Sequence, residues 1–415
     1  MSREFDVIVY GATGFVGELT ARYLAEQAPG GARIALAGRN ETKLAAVRRR
    51  LPERAAGWPL VVADSDSPAS LDAMCARTQV VCTTVGPYLR YGENLVIAAA
   101  SAGTDYVDLT GEVPFTRFTI DKADELAQGT GARIVNSCGF DSVPSDLGAY
   151  MLYEAVKEAG AGTLGETTMV LESFRGAVSG GTVDSMRVIA EQARDPEQRR
   201  LLMNPRALSA GPGRLEHAGP GSEPSDLSPV DAKKVDPSLS GTLAPFFMSS
   251  YNTRVVRRSN ALLDDAYGPG FRYQETMNVG RLPVLSTLTA GAVAVGTGIG
   301  LAALSFRPTR AVLDRVLPKP GEGPSERARE AGHFTTQTFT RTSDGRRFRS
   351  QMRAEGDPGY KATAVMLGES ALALALDRDK LPDRAGALTP AVAMGDVLIE
   401  RLREAGFVLE VHELT

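Results

Sequence analysis

Cysteine and histidine are scarce, with three of each in 415 residues. Cys75, Cys82 and Cys138 are odd in number and show no C-x-x-C spacing, which argues against a disulfide framework or a cysteine-bound metal. Buried thiols in a reducing compartment are the simpler expectation. His217, His333 and His412 lie far apart and share no ligand-like spacing, so no metal is expected. Positive charge is not in excess either: 46 Lys and Arg stand against 50 Asp and Glu, a net charge of −4. With a pI near 5.7 the chain lacks the basic surface that neutralising a phosphate backbone requires, so no nucleic-acid partner is expected. No internal repeat is present. No signal peptide precedes the first strand-like run, and a cytoplasmic location follows as an expectation.

The composition is that of a soluble globular protein, with 43% apolar and 23% charged residues, and the length makes two domains the default. Over the first 140 residues, strand-like and helical stretches alternate. VIVY (7–10), ARIALAG (32–38), PLVVAD (59–64), VVCTTVG (80–86), DYVDLTG (105–111) and ARIVNSCG (132–139) read as strands. Their continuous apolar character implies burial on both faces, hence a parallel sheet wrapped by helices, a doubly wound α/β domain. Ser67-Pro68 marks one helix start, a capping residue before a first-turn proline.

GATGFVG, residues 11–17, separates the first strand from a helix that places Val16, Leu19, Tyr23 and Leu24 on one stripe. Gly11, Gly14 and Gly17, with Thr13 and Phe15 among them, therefore sit in a tight turn. Its backbone N–H groups and helix N-terminus are free to receive an anion. In such a site for NAD, an acidic residue at the end of the second strand would hold a ribose hydroxyl. Here Arg39 stands in that place, 22 residues past Gly17, with Lys43 one helical turn beyond. A guanidinium suits the 2′-phosphate of NADP(H), so that cofactor is expected. Asp64 and Ser65, ending the third strand, fall where side chains approach the adenine, although Asp64 also suits a cap for the Ser67 helix.

The fourth strand runs into Val85, Gly86, Pro87 and Tyr88. In an open parallel sheet this loop lies beside the nicotinamide, and Tyr88 and Tyr91 are candidate proton donors or packing aromatics. Glu112, Asp141 and Ser142 face the same edge as groups that either orient substrate or cap helices and turns. Tyr153 and Lys157 form a Y-x-x-x-K tetrad with Ser142 upstream, an alternative catalytic pair for carbonyl reduction.

Beyond Cys138 the pattern changes. Residues 146–158 read as a helix and 163–175 as a strand; 204–245, with seven prolines, reads as a long flexible loop. Residues 282–306 carry no charge, are long enough to cross a bilayer and contain Gly296-x-x-x-Gly300, which suits a buried helical hairpin, a dimer interface or contact with a membrane surface or lipid substrate, with a transmembrane span the least favoured reading. Arg254, Arg257 and Arg258 read as a solvated basic strand or as contacts for a phosphopantetheine arm or a carrier protein. A hairpin is expected around Ser343-Asp344-Gly345, then helices over 360–376 and 390–405 and a final strand in VLEVHEL.

GATGFVG, AGR, TTVGPYLRYG, DYVDLTGE, CGFDSVPSD, GDPGYKATAVMLGESAL and LTPAVAMGD together resemble the saccharopine-dehydrogenase-like oxidoreductases, above all the trans-acting enoyl reductases of mycobacterial phthiocerol and phenolphthiocerol lipid synthesis. The resemblance spans nearly the whole chain. It implies an NADP-binding Rossmann domain over 1–145, an α+β substrate or dimerisation domain over 146–360, and C-terminal helices in 361–415 that return to the first domain. It further implies that Gly11, Thr13, Gly14, Phe15 and Gly17 hold the pyrophosphate, Arg39 the 2′-phosphate, and Val85 to Tyr88 the nicotinamide side. The implied activity is reduction of a double bond in a lipid or polyketide intermediate bound to a carrier protein. Carbonyl reduction, a saccharopine-type dehydrogenase reaction and a non-catalytic, lipid-associated NADP-binding role are the competing expectations.

Overall fold

The computed structural model describes residues 3–176, 180–216, 222–280, 285–293 and 323–415. The first half alternates as the apolar pattern dictates: β1 (Phe5–Tyr10), α1 (Phe15–Gln27), β2 (Ile34–Gly38), α2 (Glu41–Arg50), β3 (Leu60–Val62), α3 (Pro68–Cys75), β4 (Thr78–Thr83), α4 (Tyr88–Tyr91), α5 (Glu93–Ala102), β5 (Asp105–Val107), α6 (Val113–Thr130), β6 (Arg133–Val135) and α7 (Val143–Glu158). These strands are parallel and ordered β13-β6-β5-β4-β1-β2-β3, where β13 is Gly386–Leu388 from the far end of the chain. Chain order reverses between β1 and β4, and that switch point opens a crevice at the strands' carboxyl ends. The doubly wound α/β fold is therefore present. The strands stop short of the apolar runs, because residues 84–86, 108–111 and 136–139 leave the ladder to form loops at that edge.

A second sheet of seven strands has the order β14-β12-β11-β7-β10-β9-β8. It combines β7 (Leu164–Arg175), β8 (Val230–Asp231), β9 (Thr242–Pro245), β10 (Arg272–Met277), β11 (His333–Thr342), β12 (Arg347–Glu355) and β14 (Val408–Leu414). β7 and β10 run parallel, and β11 and β12 form the antiparallel hairpin whose turn places Gly345 at φ +91°. Between β7 and β10 lie α8 (Gly180–Gln192), α9 (Pro196–Met203), α10 (Ala232–Val235) and α11 (Ser249–Leu262). One continuous core joins the two sheets through Leu147 and Leu152 of α7, Leu171 of β7, Phe334 of β11, and Leu367 and Met394 of the two C-terminal helices. The helix Lys361–Leu376 is buried nearly all round, as an apolar segment without a polar face requires. After it, β13 joins the first sheet and β14 the second, so the C-terminal segment fastens one to the other.

Two expectations are corrected by α11. Arg254, Arg257 and Arg258 lie on a helix, not a strand, and each is buried. Arg254 pairs with Asp226 at 2.9 Å and donates to the Asn204 and Leu202 carbonyls; Arg257 donates to those of Pro205 and Tyr273; Arg258 donates to those of Leu208 and Ala387. Guanidinium groups thus satisfy the Asn204, Pro205 and Leu208 carbonyls of a coil and tie it to α9, β10 and β13. The proline-rich stretch expected to be a flexible loop is instead tied to α11 at Asn204, Pro205, Leu208, Glu223 and Asp226, and it carries β8, α10 and β9. Of the apolar stretch 282–306, residues 285–293 are helical with Leu285 and Leu288 exposed. The remainder of that stretch, like His217, lies outside the described residues. No helix among the described residues is long and apolar enough to cross a membrane.

Between α7, α11 and β10 sits a buried polar cluster. Glu275 accepts from Asn252 Nδ2 at 3.0 Å and from the Tyr273 hydroxyl at 3.0 Å, and burial pushes its carboxyl up to about 8. Asp146, accepting from the Ser259 hydroxyl and from Ala391 N–H at 2.8 Å, is pushed up to about 6 for the same reason. An acid whose folded-state pKa is raised binds its proton more tightly folded than unfolded. Stability is then lost as pH rises from the ordinary carboxyl range, about 4.3 for Glu, to the folded-state value. Denaturant unfolding of Glu275→Gln should show a flatter decline between pH 5 and 8 than the parent chain; an unchanged slope would remove Glu275 as its source.

Candidate active site

The turn after β1 is built by glycine contacts. Gly11 has φ +87°, and a Cβ there would meet Val85 Cγ2 at 2.7 Å and Thr84 Oγ1 at 2.9 Å. At Gly17 a Cβ would stand 2.2 Å from the Gly11 carbonyl oxygen. That oxygen accepts from Gly14 N–H at 2.9 Å and from the Thr84 hydroxyl at 3.3 Å, which locks the turn to the end of β4. Gly14 caps α1 without a side chain, and Thr13 and Gly14 are exposed. The first N–H groups of α1 therefore face open space at the switch point.

One strand over, Arg39 is exposed and makes no hydrogen bond or ion pair among the described residues. Asn40 caps α2 by accepting from Lys43 N–H at 2.9 Å, which sets Lys43 on the first turn. Burial, and next the Asp64 charge, raise the Tyr10 hydroxyl to about 12; Ser65 and Arg39 also act on it. The residues ending β1, β2 and β3 thus meet around Tyr10. Asp64 folds back on its own loop, accepting from Asp66 N–H at 3.1 Å, and does not cap α3. Ser67 occupies the cap position, with Pro68 after it, but makes no capping hydrogen bond.

Tyr88 does not present a free hydroxyl. It is 5% exposed, accepts from Leu109 N–H at 3.1 Å and donates to the Thr83 carbonyl at 3.3 Å. Its own N–H and that of Leu89 donate to the Glu112 carboxylate at 3.0 and 2.9 Å, and Ser185 of α8 donates to the same carboxylate at 2.6 Å. Glu112 is a buried cap that holds the loop Val85–Gly86–Pro87 in place. The peptide bond between Gly86 and Pro87 is cis. Tyr91 is exposed on α4.

Asp141 differs from these groups. It is half-buried at the N-terminal approach to α7 and has no side-chain partner among the described residues. Burial, with the neighbouring Asp108 charge, pushes its carboxyl up to about 7. Ser142 instead donates to Asn252 Oδ1 at 3.1 Å. Tyr153 and Lys157 are not brought to this edge. They follow Val143 by ten and fourteen residues on α7, about 15 and 21 Å down the helix axis. Tyr153 packs on Tyr267 at 5.2 Å, and Lys157 is exposed and pairs with Glu154 at 3.4 Å.

Sequence reasoning missed the groups that shape the Asp141 recess. Asp108, fully buried, accepts from Tyr106 Oη at 2.9 Å, Asn136 Nδ2 at 2.8 Å, Thr110 N–H at 3.0 Å and Ser137 N–H at 2.7 Å. Burial nevertheless raises it to about 6. Ser137 adopts φ +67°, and its hydroxyl meets that of Tyr251 from α11, which also contacts Thr116 Oγ1 at 2.9 Å. Only the aspartate in DYVDLTG carried a signal, as a polar residue ending an apolar run. Ser137 and Tyr251 meet across 114 positions, beyond any local pattern.

An open glycine turn at the switch point of a 3-2-1-4-5-6 sheet, with a second mixed sheet behind it, defines a Rossmann-type protein of the saccharopine dehydrogenase architecture. Saccharopine dehydrogenase (L-Glu forming) from Saccharomyces cerevisiae superposes over 99% of both chains with a TM-score of 0.54; at 16% identity this shows the fold alone. Trans-acting enoyl reductases from Mycobacterium ulcerans and Mycobacterium bovis are 49% and 48% identical, covering 99% and 100% of this chain and 99% of their own. A Mycobacterium tuberculosis relative that carries the same name provisionally is 53% identical over 99% of this chain and 98% of its own. The chain belongs to the trans-acting enoyl reductase family. No protein-family model matches it.

Gly17→Ala tests the turn directly. The added methyl meets backbone, not a flexible side chain, so unfolding in urea should show a loss of about 2 kcal/mol. Unchanged stability would mean that α1 and Gly11 can separate freely.

Proposed function

We propose that the protein is an NADPH-dependent reductase acting in trans on an enoyl group of a lipid or polyketide intermediate held by a carrier protein. The observation that carries the reading is the exposed Arg39 guanidinium just after β2, unpaired among the described residues and one strand from an exposed glycine turn, in a chain of this family. The residues suit the cofactor. The N–H groups at the start of α1 and the side-chain-free Gly14 fit a diphosphate, and Arg39 with Lys43 fits a 2′-phosphate. Asp64 and Ser65 border the adenine side. Val85, Gly86 and Pro87 form the wall of the nicotinamide side. Such a cofactor supplies the hydride that saturates the β carbon of an α,β-unsaturated thioester.

The chain's own part in the reaction is to deliver a proton. We assign it to Asp141, because a carboxyl held near 7 is substantially protonated at neutral pH and matches a general acid. Its O–H bond breaks as a C–H bond forms at the α carbon, leaving a carboxylate that regains its proton from solvent. Asp108 raises the basicity of that carboxylate by its charge. Tyr88, with both hydrogen-bonding directions occupied inside the protein, positions the loop instead. Tyr153 and Lys157 lie far down α7, which disfavours the carbonyl-reductase alternative.

Two outcomes are expected. Titration of Arg39→Ala should show NADPH affinity reduced about 10- to 100-fold with NADH affinity nearly unchanged; equal losses would point to a fold defect, and no loss would remove Arg39 from the site. Asp141→Asn should retain NADPH binding but turn over an enoyl thioester about 100- to 10,000-fold more slowly. In the parent enzyme, turnover should fall as pH rises through about 7, since the protonated form is the active one. A flat pH profile would exclude Asp141 as the acid.

A further inference from the structure

The segment Gly323–Gly332 approaches the glycine turn from the side of the second sheet. A Cβ at Gly323 would stand 2.4 Å from the Phe15 ring, and the Arg329 guanidinium carbon lies 5.2 Å from the centre of that ring. Tyr360 meets the same ring edge-on at 5.2 Å. Phe15 is the first residue of α1, directly after the exposed Gly14. Arg329 thus stacks on the side chain of the residue that opens α1, the helix end that carries the positive end of the dipole.

Arg329 Nη1 donates to the Pro324 carbonyl at 2.7 Å, and the guanidinium makes no ion pair among the described residues. The neighbouring cation, Lys361, is neutralised by Glu330 at 2.5 Å, and Glu18, the acid in the first turn of α1, is taken by Arg50. A half-buried guanidinium with most of its five donors unspent among the described residues, stacked on the ring of the first residue of a helix, is suited to an anion received by that helix end.

We propose that Arg329 is the second cation of the dinucleotide site, closing over the diphosphate so that this group lies between the guanidinium and the start of α1. The inference rests on the cofactor reading above and extends it. The diphosphate is common to NADH and NADPH, so Arg329 contributes affinity for both, whereas Arg39 discriminates between them.

Calorimetric titration of the full chain separates the roles, using NADPH, NADH and adenosine 2′-monophosphate, which lacks the diphosphate. Arg329→Gln should weaken NADPH and NADH alike by about tenfold and leave adenosine 2′-monophosphate unchanged; Arg39→Ala should weaken NADPH and the monophosphate and spare NADH. In the parent chain, NADPH should slow tryptic cleavage after Arg327 and Arg329. Parental affinity of Arg329→Gln for both dinucleotides, or cleavage indifferent to NADPH, overturns the clamp. Should Arg329→Gln lose affinity for all three ligands through misfolding, the protease result on the parent chain decides. A parent chain that binds neither dinucleotide overturns the cofactor reading itself, an outcome distinct from a failed clamp.

Discussion

The Gly11 carbonyl oxygen is the point on which the geometry of the site depends. It holds Gly14 N–H and the Thr84 hydroxyl, and it lies so close to the Gly17 Cα that no side chain fits between. Three elements, β1, α1 and the loop after β4, are thereby fixed to one another within hydrogen-bonding distance. That spacing leaves the first N–H groups of α1 uncovered at the place where strand order reverses. Backbone N–H groups left open in this way are able to receive an anion without a charged side chain in the turn.

The rest of the carboxyl edge is shaped from the second half of the chain. α11 brings Tyr251 to Ser137 and, together with Arg117 of α6, spends arginines on the carbonyls of the coil that follows α9. α8 brings Ser185 to Glu112. The cost of this enclosure is visible in the carboxyl groups. Asp108, with four donors, is still raised to about 6, and Asp141, with none from another side chain among the described residues, to about 7. Removing water from these groups disfavours their charged form, and so each carboxyl holds its proton to a higher pH than an exposed one would. The same enclosure makes the neighbouring cysteines inert: Cys82 and Cys138 are buried, and their thiols are raised by burial first and the Asp108 charge second.

Local sequence determined the parts of the protein that depend on neighbouring residues. The apolar β-branched runs gave the parallel sheet, the G-x-x-G-x-x-G spacing gave the turn, and Asp344-Gly345 gave the hairpin, because strand periodicity and permitted backbone angles are short-range properties. The place of Arg39 just past the end of β2 was legible for the same reason. What tertiary structure alone decided was which polar groups lose their water and which keep a free valence. Arg254, Arg257 and Arg258 look like surface cations until the coil they fasten is seen, and Tyr88 looks like a proton donor until both partners of its hydroxyl are in place. Asp141 and Arg329 acquire their character from elements distant in the chain, since desolvation and charge compensation depend on spatial neighbours, and those neighbours are set by the packing of two sheets on a common core.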